Sequence, residues 1–538
     1  MDKPIWEPSK ERIDHANLSR FMRFAREHHP HADFHDYRAV YDFSIRSPEK
    51  FWQLVWDFCG IKAIGDHERV LVEADTMQNA RWFPDVRLNF AQNLLRFSDD
   101  RTALLFRSEN GNALEFSYAQ LHEHVGALTA ALKEHGVGIG DSVAGFLPNL
   151  PAAVIAMLAT ASLGAVWSSY SPHLAIDDVL DRLGRIKPKL LFCADGHACG
   201  GKQFDSRENV RTILDRIDSI ACVVMVPYLD PAPSIDGLRD VVLLPEFVAA
   251  HAGVAPEFVP TPFDHPLYAI HSTSADGVPS CVMHGTGGTL LEHLKELVLH
   301  TDLRREDRIF QHTACDGTVW NWLVSSLAVG ATIVLYDGDP MYPDANALWN
   351  LADDCGISIF GASAQWLSAS ERSGVKPAET HKLAALRTIL ATADSQLAPE
   401  SFDYVYRDVK DRVQIALMLS DAGMLSSFAL GCPILPVWRG EVQCRGLGMA
   451  VQMLGGDGTS LRDTTGEMAC VAPFPSMPIG FWNDVDGSQY HAAYFERHVG
   501  VWCSGIRARL TEHDGVIIHA LVDAQRASDG VRTTTAAR

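Results

Sequence analysis

Between residues 101 and 430, short apolar runs alternate with helical stripes, a rhythm that asks for parallel sheets covered by helices. In "SYAQLHEHVGALTAALKEHGVGIGD", Leu121, Val125, Leu128 and Leu132 share one helical stripe that ends in glycines. The run "SVAGFLP" then predicts a strand, "NLPAAVIAMLATASLGA" a helix with Pro151 near its start, and "VWSSYSP" a further strand. A second run of the same kind starts near Asp307 with "DRIFQHTA", "VWNWLVSSLAVGA" and "TIVLYDG" and continues to "VQIALML". Two βα blocks therefore lie in one chain. The first hundred residues hold helical pieces such as "SPEKFWQLVWDFCG", where Ser47 can cap and Gly60 can stop the helix. After residue 431 glycine, proline and short strands such as "GEMACVA" and "GVIIHALV" take over. The expected fold class is α/β, with two βα-layered sheets and a β-rich lobe. The expected boundaries are a helical extension over 1–100, two α/β subdomains over 101–430, and the lobe over 431–538.

Charge and cysteine usage narrow the function classes. With 46 basic and 67 acidic residues the formal charge is -21, which argues against a general nucleic-acid binder. Eleven cysteines contain no CxxC pair, and the closest two are Cys193 and Cys199, so they read as reduced thiols. The N-terminus has no signal-peptide core and no run of about eighteen apolar residues occurs, so a cytoplasmic protein without a membrane partner is expected. His284, His293 and His300 lack the i, i+4 spacing of a helical zinc motif and read as core or surface histidines. Trp320, Trp322 and the tryptophans of "FWQLVWDF" read as packing residues.

The stretch "HSTSADGVPSCVMHG", His271 to Gly285, follows the apolar run Leu267 to Ile270, where a strand should enter a phosphate-holding loop. Such a loop needs glycines so that backbone N–H groups can approach phosphate, hydroxyls that donate, and a lysine that neutralises charge. Here the turn has one glycine, Gly277, no lysine, and a carboxylate at Asp276. A carboxylate about 4 Å from a phosphate oxygen costs about 4 kcal/mol at an effective dielectric of about 20.

Long blocks elsewhere, among them "ARWFPDVRLNFAQNLL", "GGTLLEHLKELVLHTDLRREDRIF", "LPVWRGEVQCRGLGMAV" and "PFPSMPIGFWND", make the chain resemble the acetoacetyl-CoA synthetase family of the adenylate-forming acyl-CoA synthetases from about Trp6 to Arg532. The resemblance implies an N-terminal domain of two βα sheets and a β-barrel-like lobe, followed by a small mobile C-terminal domain. It also implies activation of acetoacetate by ATP and magnesium to an acyl-adenylate that CoA captures. Against that pattern the phosphate loop reads Thr273, Ser274, Ala275, Asp276, Gly277, Val278, Pro279 and Ser280, with serine in the lysine position. Where the family has glycine, threonine and an acidic magnesium ligand, the chain has Asp421, Ala422 and Gly423. Where the family's carboxylate holds the ribose, it has Ile506; at the hinge arginine stands Leu521; and the chain stops at Arg538, so the mobile domain is expected to be absent.

These departures lead to the expectation of an acyl-CoA-synthetase-like protein that has lost ATP-dependent adenylation. Its acidic cavity would bind a ligand or partner, or catalyse a different reaction in a specialised pathway. ATP-dependent acetoacetate–CoA ligation is the alternative. Candidate catalytic residues in the cavity are His271, Asp276, Ser280 and Cys315, with Asp316, Asp394 and Asp421 as the added carboxylates; polar drift in an abandoned pocket is the plainer account. Gly317, in the position of a bulky family tryptophan, should enlarge the pocket. Arg182, Arg185 and Lys202 of "GGK" resemble the family's CoA-facing surface, and a solvated basic edge is equally consistent. Neither ATP nor magnesium is expected as a cofactor, CoA is the one candidate, and no metal ligand set is assigned. The expected partner is a small molecule bearing an amine, a guanidine or a divalent cation, with a pathway enzyme or a second copy of the chain as further candidates.

Overall fold

Both βα blocks fold into sheets. The computed structural model describes residues 3–273, 279–392, 397–419 and 423–521. The first sheet runs in the order Val241–Leu243, Cys222–Val226, Leu190–Ala194, Ser142–Phe146, Val166–Tyr170 and Pro266–Thr273, all parallel. Pro279–Gly285 and Gly480–Phe481 add two antiparallel strands at its edge. The second sheet runs Gln414–Met418, Thr388–Thr392, Ile359–Ser363, Arg308–Gln311, Thr332–Asp337 and Thr102–Ser108 in parallel, closed by antiparallel Ala113–Ser117. The lobe is a five-stranded antiparallel sheet, Ser460–Leu461, Val451–Leu454, Gly466–Cys470, Trp502–Leu510 and Val516–Leu521.

The sheets do not follow the chain in simple order. The hairpin 102–117 precedes the first block in sequence yet completes the second sheet, and Gly480–Phe481 leaves the lobe to pair with Val282 and Met283 of the first. Each sheet thus borrows strands from a distant part of the chain, and such pairings leave no local sequence signal.

Helix formation follows the expected stripe. Leu121, Val125, Leu128 and Leu132 of Tyr118–Glu134 are all buried, and a capping box at Ser117 and Gln120 starts the helix. Pro48–Cys59 begins on Pro48 without a side-chain bond from Ser47, and Gly60 ends it in the left-handed conformation at φ 61°. The helix Thr286–Leu294 continues as a π-helical turn, Lys295–His300, and is buried on all sides. Gly288 lets it approach the lobe: a Cβ there would lie 2.0 Å from the Pro475 carbonyl oxygen. His284, His293 and His300 are core residues, and so are Trp320, Trp322, Trp52 and Trp56.

Backbone cannot be displaced as a flexible side chain can. Gly288→Ala should therefore lower unfolding stability by about 1–3 kcal/mol despite alanine's better helix propensity, measured as a lower midpoint in urea melts followed by circular dichroism.

Candidate functional site

The carboxyl ends of parallel strands are where α/β proteins bind ligands, and here the carboxyl ends of the two sheets meet. Asn149, in the loop after Ser142–Phe146, donates to the Thr313 carbonyl at 3.2 Å and accepts from the Trp320 indole at 2.9 Å. Ser169 donates to the Cys315 carbonyl at 2.5 Å, and the Ser171 N–H reaches Asp316 Oδ2 at 3.4 Å. The loop 312–317, which follows the second-sheet strand Arg308–Gln311, is thereby clamped onto the end of the first sheet.

His271 and Asp316 each reach this seam at neighbouring residues, Tyr170 and Ser171. His271 Nε2 lies 3.1 Å from the Tyr170 hydroxyl, whose neighbour Ser168 donates to the Ala269 carbonyl at 2.6 Å. Burial lowers the His271 pKa to about 3, and the charges of Arg182 and Arg185 push the same way, so the ring is neutral at physiological pH. Asp316 is shifted up by burial, against the pull of the Ser171 N–H, its own backbone, Arg182 and His173. Arg182 therefore faces both groups. Arg185 pairs with Asp181 at 3.0 Å on the same helix, Ile176–Ile186.

Cys315 lies on the same seam loop as Asp316. Cys315 is buried and its thiol donates to the Leu147 carbonyl at 2.9 Å. Burial lifts its pKa well above the ordinary thiol range, which disfavours the thiolate that the expected nucleophilic role would use. Ser280 sits on the antiparallel strand in register with Ser272. Lys202 is exposed on a hairpin whose Gly200 and Gly201 N–H groups are both clasped by the Glu109 carboxylate at 3.0 Å, away from the His271 seam. Asp276, Asp394 and Asp421 lie outside the described residues. Gly317 fits the expected enlargement, since a Cβ there would meet open space.

Two positions expected to have lost nucleotide contacts are filled by packing. A Cβ on Gly423 would come within 2.5 Å of the Tyr494 hydroxyl, and the Tyr494 ring stacks on Trp502 at 4.5 Å. Ile506 is buried in the core that includes Trp502 and Phe474. Nearby, Glu467, His498 and Cys503 bring a carboxylate, an imidazole and a thiol together. Glu467, however, pairs with Arg497 at 2.7 Å, and burial lifts Cys503 to about 11, so the donors are those of an ion pair and a neutral thiol.

Sequence reasoning missed the cavity next to the seam. It is small, about 10 Å³, room for about one water, and lies between the helix Thr318–Val324, the segment after Gln414–Met418, and the buried helix 286–300. Thr318, Val319, Trp322, Met418 and Leu425 form most of its wall, and Glu296 supplies a carboxyl group. Glu296 is wholly buried with Glu292 and Lys295; the Lys295 ammonium lies 2.8 Å from Glu292 and 3.5 Å from Glu296. In "LLEHLKEL" these charges look like a solvated helix face, and only the surrounding packing reveals otherwise.

Comparison with known proteins was consistent along the chain. Residues 90–426 match the AMP-binding enzyme family and residues 37–94 match the acetyl-coenzyme A synthetase N-terminus. The acetoacetyl-coenzyme A synthetase of Rhizobium meliloti is 42% identical over 99% of this chain and 82% of its own length. The acetoacetyl-CoA synthetase of Danio rerio is 38% identical over 98% of this chain and 80% of its own. The structure titled acetoacetyl-CoA synthetase from Streptomyces lividans superposes with a TM-score of 0.92 at 37% identity, covering 97% of this chain and 80% of that one. Among the described residues no helix is long and apolar enough to cross a membrane.

The electrostatics of the seam give a pH test. Because the folded state raises the Asp316 pKa above its ordinary 3.8, the contribution of that carboxyl is fully present below that value and is lost as pH rises through the folded value. Asp316→Asn should raise the melting temperature at pH 7 and change it least near pH 3.5. His271 has the opposite sense. Its lowered pKa removes stability as pH falls from 6.5 towards about 3, so His271→Gln should flatten the acid limb of a stability profile.

Proposed function

Because the chain belongs to the acetoacetyl-CoA synthetase family of AMP-binding enzymes, we propose that it is a CoA ligase for a short 3-oxo acid, joining acetoacetate or a close analogue to CoA at the expense of ATP. The observation that carries this reading is the extent of the kinship, which spans both sheets, the seam between them and the lobe.

In this reading the carboxylate of the acid lies at the seam, where a nucleotide phosphate would be attacked. Arg182 supplies positive charge at that end, balancing Asp316. The neutral His271, beside the Tyr170 hydroxyl, offers a hydrogen bond without adding charge. ATP should be held weakly, because Ser280 stands where the family places the phosphate-loop lysine and Asp276 adds a like charge to the loop.

A second reading follows from Tyr494 beside Gly423 and from buried Ile506, which occupy the places of the family's magnesium and ribose carboxylates. In it the chain retains the acid site but has lost adenylation, and acts by binding. Acetoacetate-dependent exchange of labelled pyrophosphate into ATP, run beside acetoacetyl-CoA formation, separates the two. The ligase reading expects exchange in the wild type with a millimolar KM for ATP, and Ser280→Lys should raise kcat/KM for ATP by about tenfold or more. No exchange in either protein, with acid binding intact, would establish the binding reading instead.

A further inference from the structure

In the β-rich lobe three side chains that ligate transition metals converge. Glu467, His498 and Cys503 offer a carboxylate oxygen, an imidazole nitrogen and a thiol sulfur within 4.8 Å of one another, and among the described residues no other group of three histidines, cysteines or carboxylates comes as close. They arrive on separate pieces of chain: Glu467 on the strand Gly466–Cys470, Cys503 on the neighbouring strand Trp502–Leu510, and His498 in the turn that leads into the latter. The backbone builds this meeting. Ala469 pairs with Cys503 while Met468 pairs with Ile506, so Ser504 and Gly505 bulge out of the ladder. Gly505 takes a left-handed φ of 70°, and Ser504 ties the bulge down by donating to the Met468 carbonyl at 2.5 Å. In the turn the Val501 N–H donates to the His498 carbonyl at 3.1 Å.

The donor set selects the class of ion. Magnesium and calcium take oxygen ligands, whereas a thiol, an imidazole and one carboxylate suit zinc or a similar borderline ion. A tetrahedral zinc with bonds of about 2.0–2.3 Å holds its donors about 3.5 Å apart, so this set has to close by roughly one ångström. Two contacts of the metal-free chain are compatible with that. Arg497 holds Glu467 Oε1 at 2.7 Å, and a carboxylate has a second oxygen to offer a metal. Burial keeps Cys503 protonated in the absence of an ion, but coordination displaces a thiol proton outright. The hydrogen bond that the thiol then gives up, to the Val501 carbonyl, is long at 3.8 Å.

We propose that Glu467, His498 and Cys503 form a zinc site with three protein ligands and water in the fourth position. Cys503 is buried while Glu467 and His498 are partly exposed, which gives the ion a route from solvent. Binding releases the Cys503 proton to solvent and fastens the turn that carries His498 to the two strands beside it. The role is structural and does not depend on the ligase reading.

The test uses the full chain, freed of metal by dialysis against a chelator and titrated with cobalt(II) and with zinc. The wild type should take up one cobalt per chain and show a thiolate-to-cobalt charge-transfer band in the near ultraviolet, which one equivalent of zinc removes. Cys503→Ser should lose that band, and His498→Ala should weaken binding of both ions by about tenfold or more. Cys59→Ser, which removes a free cysteine elsewhere in the chain, should leave both unchanged and so separates this site from adventitious thiol binding. Zinc should raise the melting temperature of the wild type and of Cys59→Ser, and not that of Cys503→Ser. If Cys503→Ser does not fold, His498→Ala carries the test. A wild type without a thiolate band, a band that persists in Cys503→Ser, or undiminished affinity in His498→Ala overturns the site.

Discussion

One helix carries a buried ammonium between two buried carboxyls, and much of the molecule is arranged around it. Breaking such a set by removing one member costs about 3–5 kcal/mol, because a charge is left uncompensated. The Lys295 ammonium also lies 6.0 Å from the centre of the Trp52 ring, which brings the N-terminal helices against it. His293 bonds Ser325 at 2.7 Å and the Leu425 carbonyl at 3.0 Å, and His300 bonds the Gly431 carbonyl at 2.9 Å. Through Gly288 the same helix touches the lobe at Pro475. A single element therefore joins the N-terminal helices, the second sheet and the β-rich lobe, and its π-helical turn places Glu296 on the cavity wall.

Function follows from the two environments that meet there. On the seam side Arg182, neutral His271 and Asp316 make a polar end that can face a carboxylate or phosphate group. On the helix side Val319, Trp322, Met418 and Leu425 are joined on the wall by Thr318, Ser426, Ser427 and Glu296. On the same seam Cys315 donates to the Leu147 carbonyl, and its burial disfavours the thiolate.

The sequence was informative where periodicity and burial coincide. The stripe of Leu121, Val125, Leu128 and Leu132, the strand Ser142–Phe146, the stop at Gly60 and the packed tryptophans all follow from local pattern. It was silent where distant segments meet. Nothing local says that 102–117 completes the second sheet, or that Gly480–Phe481 borders the first. For the site, the resemblance drew attention to His271 and Asp316, which reach the seam at the neighbouring residues Tyr170 and Ser171, whereas the burial of Cys315 had no local signal. Glu292, Lys295 and Glu296 were missed for a physical reason. Charged residues at helical spacing are solvated in most proteins, and only the enclosing packing, invisible in one sequence, makes these an interior cluster.

The most direct measurement is carbon-13 NMR of acetoacetate labelled at its keto carbon, recorded free and with excess protein. Binding of the acid by the protein should broaden and displace that resonance, and the account predicts this change. A sharp resonance at the position of the free acid, unchanged by excess protein, would contradict the claim that the chain takes a short 3-oxo acid.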